Sequence, residues 1–196
     1  MTIPETRSVL FRLQGLVFAS VAAACVVACT PPPPVADPAE TTSVVTVSPR
    51  TGAAENSQAD VAGQKAINVY LGMWHTMAGA ARTSDWRSPA LSEFTTGKAL
   101  NTISHGLYAD HQNGLVTKGS PKNEPEVVAI APAKEPSRIT INDCGDSTNW
   151  LKYDAVTGDP ADDVPGGRQS ITAIVDRQGD GRWLVSDFAV RAVGTC

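Results

Sequence analysis

The sequence has no nucleophile elbow, no phosphate-cradling glycine loop, no zinc-protease helix and no paired Cys-His signature, which excludes the chemistries those motifs carry. Histidine is scarce: the 3 in the chain are His75, His105 and His111. His105 and His111 lie six residues apart, so on a helix they do not share a face. A basic excess is missing too. The formal net charge is -4, and no RNA- or DNA-binding motif occurs, so a broad electrostatic footprint for nucleic acid is excluded. Asn142, Asp143, Asp146, Asp159, Asp162 and Asp163 lack the regular alternation of a calcium loop and read as solvated turns. Gly166-Gly167 reads as a turn feature. No metal and no cofactor is expected. The longest apolar run, Leu16 to Cys29, falls short of the roughly 20 residues a membrane-spanning helix needs. Aromatic residues are absent from Thr30 to Ala62, which argues against a packed core there.

What is present begins with that apolar run, LVFASVAAACVVAC, which follows Arg7 and Arg12 and reads as an export signal. Its end, Val26-Val27-Ala28-Cys29, resembles the lipobox of bacterial lipoproteins. In that family the cysteine thiol receives a diacylglyceryl group and the signal is cut just ahead of it. The resemblance therefore implies a signal peptide over 1–28 and lipidation of Cys29. Valine stands where leucine is commoner, and Glu5 lies in the n-region. Cys25, after Ala22-Ala23-Ala24, is a second acceptor, but its use leaves Val26-Val27-Ala28 on the mature end. Ordinary secretion and an uncleaved anchor are the other readings. Acyl chains of the palmitate type enter a bilayer at about 0.8 kcal/mol per buried methylene, so two or more hold a protein firmly. The expected location is the extracytoplasmic face of the cell membrane, with the membrane itself the first partner.

Residues 29–62 read as a lipidated, disordered tether rich in Pro, Ala and Thr. Pro31 to Pro34 favour polyproline II. Thr42 to Val47 could form a brief strand, but Ser48-Pro49 ends it and nothing evident pairs with it. The remainder, 63–196, is a single domain by length, α+β in class: two or three N-terminal helices packed on a curved antiparallel sheet. Gln64 to Arg82 carries Ile67, Tyr70 or Leu71, Trp74, Met77 or Ala78, and Ala81 at helical spacing. Gly72 and Gly79 each cost that helix up to about 1 kcal/mol, which close approach of another backbone would offset. Ser88 to Phe94 reads as a short second helix with Pro89 at its start. Thr96 or Gly97 to Asn113 reads as a third, ended at Gly114. Its apolar side runs Leu100, Ile103, Leu107 and then Asp110 or His111, so the last turn either reaches solvent or lines a cavity.

From Leu115 the period changes. Strands are expected over Val127–Ala131, Ser137–Cys144 and Trp150–Asp154, with Ile139 to Tyr153 forming a hairpin. Ile139 and Ile141 face one way, Thr140 and Asn142 the other. Gln169–Arg177 and Arg182–Val193 are joined across Gln178-Gly179-Asp180-Gly181, a hairpin turn. Strict alternation puts Asp187 on the side of Trp183 and Val185. Export permits a disulfide between Cys144 and Cys196, and closing that loop is worth roughly 4 kcal/mol. Two unpaired buried thiols are the alternative. If the helices lie across the sheet, Tyr70, Trp74, His111, Asn142, Trp150, Tyr153 and Asp187 point into the gap, a pocket with an aromatic wall and a few polar groups. No catalytic residue can be assigned from these alone.

The order of helices and strands resembles the nuclear transport factor 2-like fold, a cone formed by a bent sheet around a long first helix. Leu71-Gly72-Met73-Trp74, Gly106 to His111, Gly114 to Gly119, Asn149 to Tyr153 and the closing Phe188 to Cys196 resemble segments of an uncharacterised group of secreted or lipid-anchored proteins from high-GC Gram-positive bacteria (actinobacteria). The wider superfamily holds isomerases, dehydratases, scaffolds and accessory domains, so shared fold does not establish shared chemistry. The function expected is an exported, lipid-anchored domain that binds an envelope protein, a cell-wall component or a small ligand, rather than an enzyme. The alternative is a small pocket enzyme of isomerase or lyase type with Asp187 or His111 as general base. The oligomeric state does not follow from the sequence.

Overall fold

The computed structural model describes residues 51–196, with side chains from Gln58 onward. The signal peptide, Cys29 and the Thr42–Val47 segment lie outside the described residues. Three helices come first, α1 (Thr51–Ala81), α2 (Leu91–Phe94) and α3 (Gly97–Gln112). Six strands follow, β1 (Leu115–Gly119), β2 (Glu126–Ala131), β3 (Arg138–Asp146), β4 (Trp150–Asp154), β5 (Arg168–Arg177) and β6 (Trp183–Val190). The class is α+β, with the N-terminal helices packed on antiparallel sheet.

Helix α1 is the central element. It touches β1, β2, β3, β5 and β6 and both other helices. It also begins earlier than the sequence suggests, at Thr51. Ala62 is buried in the core and Gly63 packs near Val127 and Ile130, so the stretch 51–62, expected to be tether, belongs to the helix. The buried stripe runs Ala62, Ala66, Tyr70, Met73, Trp74, Ala78 and Ala81. This is the 3.6-residue period on the expected face: Tyr70, Trp74, Ala78 and Ala81 are buried as expected, Tyr70 rather than Leu71 taking its position, while Ala66 rather than Ile67 enters the core. Gly72 makes room for a side chain rather than for backbone. A Cβ there would sit 2.3 Å from the Phe94 ring, whereas one at Gly79 would meet nothing within 4 Å.

The main sheet is four-stranded, in the order β2-β3-β5-β6. Its inner face is built by Ile139, Ile141 and Asp143 of β3 and by Ile171, Ala173 and Val175 of β5, all buried. Burying each large apolar side chain contributes about 1.5–3 kcal/mol. β5 and β6 form the expected hairpin, with Gly181 at φ 85 in its turn, a conformation that favours glycine. The hairpin expected between Ile139 and Tyr153 does not form. β4 instead pairs with β1 in a separate two-stranded sheet, with Thr117 opposite Lys152 and Gly119 opposite Trp150.

One irregularity decides the site. Between β5 and β6 the register shifts, so that Val175 faces Val185 but Ile174 faces Asp187. Ser186 is left unpaired, and a single extra residue flips every side chain beyond it to the other face. Phe188 and Val190 thereby join the inner side, and Asp187 is turned outward. At the far end of the sheet Cys144 and Cys196 are joined by a disulfide, with Cα atoms 5.9 Å apart. It fixes the segment after β6, which also bonds to β5 through the N–H of Gly194 to the Arg168 carbonyl.

Candidate functional site

Trp74 is the hub from which the site is built. Its ring makes edge-on contacts with Tyr70 (6.2 Å between centroids), Trp150 (5.8 Å) and Phe188 (5.9 Å). On the α1 side of this hub lies a closed polar knot. The fully buried Tyr70 hydroxyl donates to Asp143 Oδ2 at 2.8 Å. The same carboxylate accepts from Asn123 Nδ2 at 2.5 Å and from the Glu124 backbone N–H at 2.8 Å. Burial first, then the Asp143 charge, push the Tyr70 pKa well above the ordinary phenol value; the nearby Trp74 and Asn123 donors act weakly the other way. The knot ties α1 to β3 and to the loop before β2. Every polar group in it has a partner.

On the other side of Trp74 there is room. A cleft of about 360 Å³ opens between α1, α3, the β1-β4 pair and the end of β6. Its walls are apolar: Trp74, Met77, Ile103, Leu107, Phe188 and Val190. Three polar residues gather on one wall. Thr117 and Lys152 face each other across β1 and β4, and Lys152 Nζ donates to Asp110 Oδ1 at 2.5 Å. Asp110 is buried at 8% exposure on the last turn of α3, while the Lys152 side chain is half exposed. The sequence left that turn open between solvent and a cavity, and Asp110 lines the cavity.

Three side chains that line the cleft carry a polar atom without a partner. Trp150 follows the period of β4 and lies on the Lys152 face, and its indole N–H, like that of Trp74, is buried without a hydrogen-bond acceptor. The Thr117 side chain is buried at 5% exposure and has no hydrogen-bond partner among the described residues. Gly106 also lines the cleft, and a Cβ there would meet nothing within 4 Å.

Of the seven residues expected to share a pocket, the structure brings together two, Trp74 and Trp150. Tyr70 touches Trp74 from behind and is sealed in the polar knot. Tyr153 lies on the face of β4 opposite Trp150, beneath the ammonium of Lys118 at 4.2 Å, as the two-residue strand period requires. Asn142 lies on the outer face of β3, where its side-chain oxygen accepts from the Thr172 hydroxyl. His111 is exposed at the end of α3. Asp187, turned outward by the irregularity at Ser186, pairs with Lys98 at 3.4 Å on the surface. Asp143, read from sequence as a solvated turn, is a buried strand residue. The reading missed Thr117 because β1 carries no apolar alternation to mark it as a strand, and Lys152 because the pairing of β4 with β1 that brings it to Asp110 leaves no local signal. Among the described residues no group of three or more His, Cys, Asp or Glu side chains is placed to hold a metal ion.

A larger groove of about 590 Å³ runs past Lys65, Glu135, Arg177 and Trp183 at the opposite end of the sheet. It has no buried, unpartnered polar group among the described residues.

No protein-family model matches the chain, and no curated protein does. Among solved structures the chain is similar to the intermembrane space region of the chloroplast protein ARC6, at 19% identity and a TM-score of 0.49 over 66% of this chain and 96% of that one. It is also similar to a protein from Catenulispora acidiphila, at 15% identity and a TM-score of 0.39 over 69% of this chain and 93% of that one. A third is a ketosteroid isomerase-like protein from Erwinia carotovora atroseptica, at 13% identity and a TM-score of 0.39 over 69% and 95%. These likenesses concern the fold and carry nothing about the chemistry of the cleft.

Proposed function

We propose that this protein is an exported, lipid-anchored domain that binds a small ligand in the cleft beside Trp74, at the extracytoplasmic face of a cell membrane. The observation that carries the binding half is the cleft itself: apolar walls with a few convergent polar groups, at the lower end of the roughly 300–1,000 Å³ typical of ligand pockets. The anchor rests on the lipobox-like Val26-Val27-Ala28-Cys29, and the finer kinship on the segments similar to the actinobacterial lipoprotein group. An oxidised Cys144–Cys196 pair suits such a compartment. The alternative of an isomerase or lyase needs a general base in the cleft. Neither Asp187 nor His111 lines it, and the carboxylate that does, Asp110, is already engaged by Lys152.

Protein purified from its own cells and extracted into organic solvent should release a stoichiometric small molecule seen by mass spectrometry. An empty extract, together with no saturable binding by the purified chain, would overturn the reading. The anchor is tested separately. Cys29→Ala should leave the signal uncut and abolish acylation of the chain, and normal processing of that variant would remove Cys29 from the argument.

A further inference from the structure

The polar wall of the cleft contains one carboxylate and one ammonium, already joined, beside a threonine hydroxyl. Asp110 and Lys152 cancel one another in charge. Lys152 has ammonium hydrogens left over after its bond to Asp110. The Thr117 hydroxyl, which can donate or accept, lies on the same wall. A ligand with a net charge would leave itself, or one member of the Asp110–Lys152 pair, uncompensated in partly desolvated surroundings. A ligand without any acceptor would leave the remaining Lys152 ammonium hydrogens without a partner in the cleft.

From this we infer that the cleft selects an uncharged amphiphile: an apolar body against Trp74, Phe188 and Val190, ending in a carbonyl or ester oxygen that accepts from the Lys152 ammonium or the Thr117 hydroxyl. The inference rests on the small-ligand reading and narrows it. It makes the Asp110–Lys152 pair a specificity device: its members do not serve as separate ligands for ions, and their joint neutrality excludes both signs of charge.

The test uses three probes of one chain length, methyl octanoate, octanoate and octylammonium, titrated into the full chain labelled with ¹⁵N-tryptophan. Methyl octanoate should bind at least about tenfold more tightly than either ion, since unscreened charge in such a site is costly. The Trp150 indole resonance should move as it saturates, because the ring lines the cleft. Asp110→Asn leaves an unbalanced ammonium, so octanoate should gain about tenfold while the ester changes little; Lys152→Met should do the same for octylammonium. Binding of octanoate or octylammonium to the unaltered protein as tightly as the ester would overturn the inference while leaving a small-ligand site in place. So would ester binding that leaves the Trp150 resonance unmoved. If none of the three probes saturates and the native extract is also empty, the small-ligand reading falls and the inference with it.

Discussion

Replacing Tyr70 by Phe removes a single hydroxyl from an otherwise unchanged core, and its effect should depend on pH in a defined direction. The phenol is fully buried and donates to Asp143 at 2.8 Å. Without it Asp143 still accepts from Asn123 and Glu124, so no carboxylate is orphaned. The loss near neutral pH is then that of one hydrogen bond to a charged acceptor, about 1.5–3 kcal/mol. On the alkaline side the relation changes. Burial and the Asp143 charge raise the Tyr70 pKa in the folded protein, whereas the unfolded phenol ionises near pH 10. The folded state therefore holds this proton more tightly than the unfolded state does. Its contribution is complete below about pH 10 and is lost above it, at a rate approaching 1.4 kcal/mol per pH unit. Between about pH 10 and 11 the wild type should lose roughly 1 kcal/mol that Tyr70→Phe does not lose, so the two stabilities converge. Denaturant unfolding followed by tryptophan fluorescence on both sides of pH 10 measures this. Native-state phenolate absorbance should be the same in the two proteins, because Tyr70 stays protonated while the fold persists. Stability curves that run parallel across the alkaline range, or extra native-state phenolate in the wild type, would refute the reasoning.

The other expectations concern packing, the disulfide and the cleft. Gly72→Ala drives a methyl into the Phe94 ring and should lose about 1–3 kcal/mol from overpacking, less the helix-propensity gain. Gly79→Ala, on the same helix with nothing nearby, should gain up to about 1 kcal/mol, and thermal unfolding of the pair checks the opposite signs. Mass spectrometry of non-reduced peptides should join Cys144 to Cys196, and replacing both by Ala should lower stability by up to about 4 kcal/mol; two free alkylated thiols would contradict the bridge. Gly106→Leu projects a side chain into the cleft and should abolish methyl octanoate binding while leaving the unfolding midpoint unchanged or slightly raised, since leucine is the better helix former.

Features with a local signal in the sequence were legible. α3 ends at Gly114, which takes φ 67 just past the helix, where a glycine is favoured. The turn from Gln178 to Gly181 closes the β5-β6 hairpin, and the pairing of Cys144 with Cys196 followed from the expected compartment. Features set by tertiary contacts were not. Periodicity gave α1 as a helix and most of its buried face, but placed Ile67 rather than Ala66 in the core and left Tyr70 and Leu71 open, because the sheet decides the exact centre of the stripe. The polar turn between β3 and β4 looked like a hairpin connection, yet β3 found its neighbours in β2 and β5. Asp187 was misplaced by the unpaired Ser186 alone: strict alternation puts it inward, and one extra residue reverses it. Asn142 is different. The alternation of β3 already turned it away from Ile139 and Ile141, so its place outside the core was readable from the strand period.

Several departures from the most stable arrangement fall on the same wall. A glycine at position 106, inside a helix, costs about 1 kcal/mol relative to alanine, and no neighbour packs against it in return. Buried indole N–H groups without an acceptor, at Trp150 and at Trp74, cost about 1–3 kcal/mol each. Asp110 is a carboxylate at 8% exposure, held by an ammonium that is half in solvent, where an apolar pair would pack at less cost in desolvation. Elsewhere the same chain satisfies its polar groups: Asp143 has three donors, and Gly72 has Phe94. Sequences agree with their folds at every level except where function requires otherwise. The coincidence of Gly106, Asp110 and Lys152 around one cleft is therefore better explained by an occupant than by imperfect packing, because an apolar body would fill the space while its acceptor oxygen takes up the remaining Lys152 ammonium hydrogens.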